Sequence, residues 1–287
     1  MALNTSRFLD QVKLKGAIPT GRFTDEEILE VAYDSLLVEI QPILVSLREE
    51  YYVTSSTSST VANTNRYPIN PLALGLVLRE LKYTIDGTIY DLQRIDPTTV
   101  NDSNTGRPSK FWLQGEDIVL YPTPDAVGTL TQWFHRRINK PVPIDATAQI
   151  TQINTGTGVV TATPPTSWTT SDTFDFISKN NGNKVLGANV VATSITTSDI
   201  TFTVADLPSD LAVGDYVALN GETPFIQVPD DVIPLVQHCV VRDLLESMGD
   251  AAGVQAAIAK IERIQSTLGR IMVDRIIGAQ EKFKPQF

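Results

Sequence analysis

Few residues in this chain are equipped for chemistry: two histidines, His135 and His238, and one cysteine, Cys239. His238 and Cys239 are adjacent in a stretch with helical spacing. Neighbouring helical side chains point about 100° apart, so the two cannot act as base and nucleophile for one another. A core thiol beside a partly exposed imidazole is the expected arrangement. His135 falls on an alternating strand next to Arg136 and Arg137, where a structural role is expected. Gly156-Thr157-Gly158 looks like half a phosphate loop, but neither a helix nor a Lys-Ser/Thr pair follows, so it reads as a β-turn. Asn181-Gly182-Asn183 reads the same way. Asp172, Asp175, Asp199, Asp206 and Asp210 lack the one-three-five spacing and closing glutamate of a calcium loop. A single cysteine builds neither an internal disulfide nor a Cys-based zinc site. Carboxylates are abundant, but paired acids mean little without geometry. No motif names a reaction, so no catalytic residue, cofactor or metal is expected.

Two clusters suit contact with other proteins. Near the C-terminus, Arg275, Lys282, Phe283, Lys284 and Phe287 combine positive charge with aromatic anchors in a segment without apolar periodicity, suited to docking in a partner's groove. Arg136 and Arg137, with Lys140, make a basic island that could meet an acidic neighbouring subunit. The formal net charge is −10, which argues against wrapping DNA through its phosphates. It suits solubility, or a wall that repels passing DNA. No apolar run approaches the roughly 20 residues of a membrane span. The N-terminus lacks a signal-peptide pattern, and the lone thiol fits a reducing cytoplasm.

The elements that must carry these residues fall into three stretches. Residues 1–22 read as an extended arm or loop. Thr24 and Glu27 then have capping-box spacing, and Asp25, Glu26 and Glu27 suit the positive end of a helix dipole. Leu29, Tyr33, Leu36, Ile40, Ile43 and Leu47 follow at helical spacing, with Pro42 expected to kink the helix near Glu39–Gln41. Glu26, Glu30 and Asp34 make its outer face acidic. Beyond Tyr51 come strands: Ser55–Thr60 as a polar loop, a type I′ hairpin at Asp86-Gly87, and a second hairpin around Gly115-Glu116-Asp117. Residues 146–223 are rich in Thr, Val, Gly and Asp, with turn signals about every ten residues, which predicts a small barrel or sandwich. Helical spacing returns near Asp230, stops at Gly249 and resumes from Asp250, predicting an antiparallel helical pair.

The expected fold is therefore α+β: an antiparallel helical-bundle core with β-hairpins and an inserted all-β domain. Its parts are 1–145 (arm, long helix and hairpins), 146–223 (the insertion), 224–276 (the helical pair) and 277–287 (a tail).

One order of residues carries a resemblance. Thr24-Asp25-Glu26-Glu27-Ile28-Leu29 leads through Arg48-Glu49-Glu50-Tyr51-Tyr52-Val53 to Tyr67-Pro68-Ile69-Asn70-Pro71-Leu72-Ala73-Leu74-Gly75 and Leu78-Arg79-Glu80. Ile118-Val119-Leu120-Tyr121-Pro122-Thr123-Pro124 follows, and Pro229-Asp230-Asp231-Val232-Ile233-Pro234-Leu235 closes it. Over residues 24–275 this resembles the head-to-tail adaptor, or connector, proteins of tailed bacteriophages. The resemblance implies a ring, usually dodecameric, under the portal protein. It also implies a C-terminal segment on the portal, tail or nozzle and fibre proteins on the far side, and genomic DNA passing through without specific binding. The expected location is the virion neck, after assembly in the host cytoplasm, with no membrane involved. Arg275, Lys282, Phe283, Lys284 and Phe287 are the expected portal contacts. Glu26, Glu30, Asp34, Arg136 and Arg137 are expected at a subunit interface or the channel. Two other functions compete: a tail- or fibre-associated module whose β domain binds glycan, and a virion hydrolase working through surface carboxylates.

Overall fold

In a computed structural model of the chain, the residues described are 3–47, 50–99, 104–180 and 184–271. The chain divides into two compact units, Met1–Arg48 with Ile138–Phe287, and Glu49–Arg137.

The first unit begins with α1 (Thr5–Gly16), capped by the Asn4 side chain, which accepts from the Arg7 amide at 2.9 Å. The expected arm at residues 1–22 is thus corrected. Phe8, Leu9 and Val12 are buried, and spacings of one, three and four residues place them on one helical face. Next is α2 (Asp25–Ser35), whose capping box forms: the Glu27 amide donates to Thr24 Oγ1 at 3.2 Å and the Thr24 amide to Glu27 Oε2 at 2.7 Å. A π-helical turn, Leu36–Ile40, leads into α3 (Gln41–Leu47). Pro42 has no amide hydrogen and its ring crowds the carbonyl four residues back, and the wider turn directly before it accommodates both.

The second unit is a pair of four-stranded sheets. One has the order β1 (Val53–Ser59), β8 (Thr129–Arg136), β3 (Ala73–Ile85), β4 (Thr88–Asp91). The other runs β2 (Arg66–Pro68), β7 (Asp117–Tyr121), β6 (Lys110–Gln114), β5 (Gln93–Arg94). Both hairpins form, and Asp86 and Gly87 have φ of 49° and 75°, as a type I′ turn needs. The Ser/Thr run expected as a loop is strand β1, because β8 supplies a continuous antiparallel partner from Val53–His135 to Ser59–Thr129. Tyr67, Leu81, Tyr83, Phe111, Ile118, Leu120, Leu130 and Phe134 fill the core of this unit.

Back in the first unit, β9 (Lys140–Pro141) precedes six strands that close into a barrel: β10 (Ala148–Asn154), β11 (Val159–Ala162), β12 (Thr173–Ile177), β13 (Val185–Ile195), β14 (Asp199–Phe202) and β15 (Tyr216–Leu219). Their order around the barrel is β10, β11, β14, β13, β12, β15, with β15 returning to β10, and every pairing is antiparallel. Closure leaves no free edge. Side chains fill the interior: Phe174, Phe176 and Phe202 are essentially inaccessible, and the Phe176 and Phe202 rings meet edge-on at 5.0 Å. A last short strand, β16 (Glu222–Thr223), pairs in parallel with β9. Then come α4 (Ile233–Met248), ended by Gly249 in the left-handed region, and α5 (Ala251–Ile271).

An antiparallel helical-bundle core is therefore the wrong description. Among the described residues the regular structure is mostly β, with a closed barrel, two four-stranded sheets and a parallel pair. The helices form a layer in which α1, α2 and α5 each pack on α4. Two of the buried apolar clusters lie inside β structure, one in the barrel and one between the sheets. Helical periodicity is conspicuous in sequence, but the short Thr- and Val-rich runs pair with one another and build cores of their own.

Barrel and helices in the first unit are tied by the segments on either side of the barrel. The amides of Thr5 and Ile226 donate to the carbonyls of Pro224 and Leu3, and Phe225 packs on Tyr216, Ile177 and Ala218. Asp175 of β12 is fully buried. Its Oδ2 accepts from Asn139 Nδ2 at 2.9 Å and the Gly221 amide at 3.1 Å, and its Oδ1 from the Asn189 amide at 3.0 Å. Asn139 also donates to the Glu222 carbonyl, and its own amide donates to Gln227 Oε1. A buried carboxylate is tolerable only when donors surround it, and this one joins β12, β13, β16 and the segment entering β9.

Candidate functional site

The ionisable groups of the helical layer form two arrangements on α4. The first faces α2 and the π-turn. Arg242 donates two bonds to Glu39, one of them from Nη1 to Oε2 at 3.1 Å, and its Nε donates to Asp243 Oδ1 at 2.7 Å. Ser35 Oγ closes the network on Asp243 Oδ2 at 3.2 Å. The Arg242 hydrogen bond holds the Glu39 carboxyl below the usual range despite its partial burial, and the two acids raise the arginine further. Cys239 lies beside this network with its thiol directed at Glu39, 3.7 Å away. Burial, then the Glu39 charge, pushes that thiol up to about 12, so it stays protonated and is a poor nucleophile. The network is a clamp between helices, and the π-turn is what presents Glu39 to it.

The second arrangement lies between the start of α4 and the later half of α5, where an open groove of about 450 Å³ is formed. Pro234, Ile264 and Leu268 supply its apolar lining and Lys260 and Arg263 its cationic side, with His238 and Asp231 also in the lining. Lys260 and Arg263 are three residues apart on α5, hence on one face, and both are exposed. Lys15 at the end of α1 adds to the field. Its ammonium donates to Gln237, which donates to Gln11. Burial and then Lys260 lower the Lys15 pKa, while burial, Lys15 and Lys260 lower that of His238. His238 Nδ1 is buried and has no hydrogen-bond partner among the described residues. On a chain of net charge −10 this is a local concentration of positive charge beside apolar surface.

No family model matches the chain, and no curated protein matches it.

The sequence-derived candidates distribute as follows. Glu26, Glu30 and Asp34 are exposed along α2, and Glu30 pairs with Lys140, whose pKa rises through that bond. Arg136 is half-buried at the end of β8 and Arg137 is exposed just beyond it. Their amides donate to the carbonyls of Tyr52 and Leu72. His135 is paired with Val53 across β1 and β8. Gly156-Thr157-Gly158 is the turn between β10 and β11. Among the described residues, no three His, Cys, Asp or Glu side chains gather as a metal site. Nor is any helix of the described residues long and apolar enough to cross a membrane. Arg275, Lys282, Phe283, Lys284 and Phe287 lie outside the described residues, as do Asn181-Gly182-Asn183.

The groove was missed in sequence. The Lys260–Arg263 spacing is a readable signal, but His238 joins them, and Lys15 comes near, only through the packing of α1 and α5 on α4.

Proposed function

We propose that the chain is a structural ring subunit of a tailed-phage neck, a head-to-tail adaptor that docks under the portal and carries tail or fibre proteins. Its work is mechanical: to extend and seal the DNA channel. The observation that carries this reading is the presence of two unlike exposed surfaces in one helical layer, the acidic face of α2 and the cationic groove of α4 and α5. A cyclic ring needs two different patches that complement each other head to tail. The order of motifs over residues 24–275, similar to that of adaptor proteins, adds the location, and the basic, aromatic C-terminal residues are assigned to the portal.

Electron microscopy of the protein mixed with portal-bearing, DNA-filled heads tests this. The expected result is a ring at the portal vertex. A chain lacking 277–287 is expected to retain the wild-type circular dichroism but leave the heads bare. Binding elsewhere on the particle, or none by the full chain, would overturn the reading.

A further inference from the structure

We infer that the α4–α5 groove of one copy receives the acidic stripe of α2 from the next copy. This rests on the ring reading and names its contact. Glu26, Glu30, Asp34 and Val38 follow one another at intervals of four, and all are exposed, Val38 to 74%. The stripe is thus three carboxylates, the middle one, Glu30, paired with Lys140 of its own copy, followed on the π-turn by the bare Val38 side chain, spread over about 18 Å at helical rise. The groove offers the converse: the cations Lys260 and Arg263 beside Pro234 and Ile264, with His238 and a single acid, Asp231, also in the lining. A helix laid in such a groove sets carboxylates against the cations and Val38 against the apolar lining.

A copy cannot satisfy itself. The opposite face of α2, with Ile28, Leu29 and Ala32, is buried in the layer packed on α4, so the acidic stripe points away from that helix. The contact is therefore made between copies, and head-to-tail repetition of it forms a ring where the rotation closes. Other occupants fit less well. The chain's own residues 272–287 carry Arg275, Lys282 and Lys284 against Asp274 and Glu281, so they bring positive charge to a positive groove. Duplex DNA needs a row of cations along its phosphates, where the groove offers Lys260 and Arg263 beside an apolar lining.

The test uses the full chain and two charge-reversed versions: one with Lys260→Glu and Arg263→Glu, the other with Glu26→Lys and Asp34→Lys. Glu30 is left in place because it holds Lys140. Assembly is measured by mass photometry and on portal-bearing particles, with circular dichroism confirming the fold of each variant. Each variant alone is expected to lose assembly by at least ~tenfold. Mixed together, they should assemble again, because the reversed groove of one accepts the reversed stripe of the other. A neutral pair, Lys260→Ala with Arg263→Ala, covers the case in which a reversal unfolds the protein, and it should weaken assembly without restoring the mixture. Wild-type rings that survive both reversals would overturn the groove contact while leaving the ring intact. A wild-type chain that never assembles, alone or on particles, overturns both. Loss of DNA retention with assembly unchanged would give the groove to nucleic acid and also overturn it.

Discussion

Replacing Asp175 with alanine should loosen the barrel from the segments that flank it, at Asn139 before β9 and Gly221 before β16. The carboxylate has no solvent exposure and accepts from Asn139 Nδ2, the Asn189 amide and the Gly221 amide at 2.9–3.1 Å. Alanine takes the acceptor from three donors, of which Asn139 is buried, the Gly221 amide half-buried and the Asn189 amide on an exposed residue; a buried donor left without a partner costs about 1–3 kcal/mol and the other two cost less. Asn139 keeps its bond to the Glu222 carbonyl, and removing a buried charge recovers part of the loss. The net cost is about 2–3 kcal/mol. For a cooperative unit of this size that lowers the melting midpoint by on the order of 5–10 °C. Asp175→Asn keeps the shape but turns an amide toward donors on one side or the other, so its loss should be smaller but clear. Urea denaturation followed by far-UV circular dichroism and tryptophan fluorescence reads both variants. Asp199→Ala, which removes a surface carboxylate bonded to the Ser198 and Thr161 hydroxyls, is the control and should stay near wild type. A loss below about 1 kcal/mol for Asp175→Ala would mean that the donors find other partners, and that this carboxylate is not the joint.

Two further outcomes follow from particular contacts. Gly158 has φ +75°, and a Cβ there would overlap the Phe202 carbonyl oxygen, so Gly158→Ala should shift the β11–β14 pairing and destabilise the protein by about 2–4 kcal/mol in a calorimetric scan; an unchanged scan would contradict the packing of that turn. Glu39 has a folded pKa held below its unfolded value by Arg242, so its contribution is complete above about pH 4.3 and is lost as pH falls through the folded value. Wild type should therefore lose more stability than Glu39→Gln between about pH 5 and 3, measured as urea midpoints at each pH, and parallel curves would show that the pair does not couple to folding.

How much of this was legible beforehand depends on the reach of each interaction. The capping box at Thr24 and Glu27, the Asp86-Gly87 hairpin and the Gly249 cap are settled by groups within a few residues, and the sequence shows all three. The acidic stripe of α2 was equally readable, since a helix turns every 3.6 residues whatever surrounds it. Helix α1 is harder to read, because it is short, its apolar face is only Phe8, Leu9 and Val12, and the helix-breaking Gly16, Pro19 and Gly21 follow closely. A few long periodic stretches stand out in the sequence, but many short alternating runs carry most of the regular structure.

Local sequence alone determined where helices are capped, where hairpins turn and which helix face is charged, because those energies are short-ranged. Tertiary structure decided the rest. The Ser/Thr run at Val53–Ser59 is a strand because β8 lies beside it, and six short strands become a barrel only when β15 returns to β10. Lys15 is 222 residues from the Gln237 it bonds, and Arg242 is 203 from Glu39. Such partners have no fixed spacing in a sequence, so the clamp, the buried carboxylate and the cationic groove exist only once the chain has brought them together.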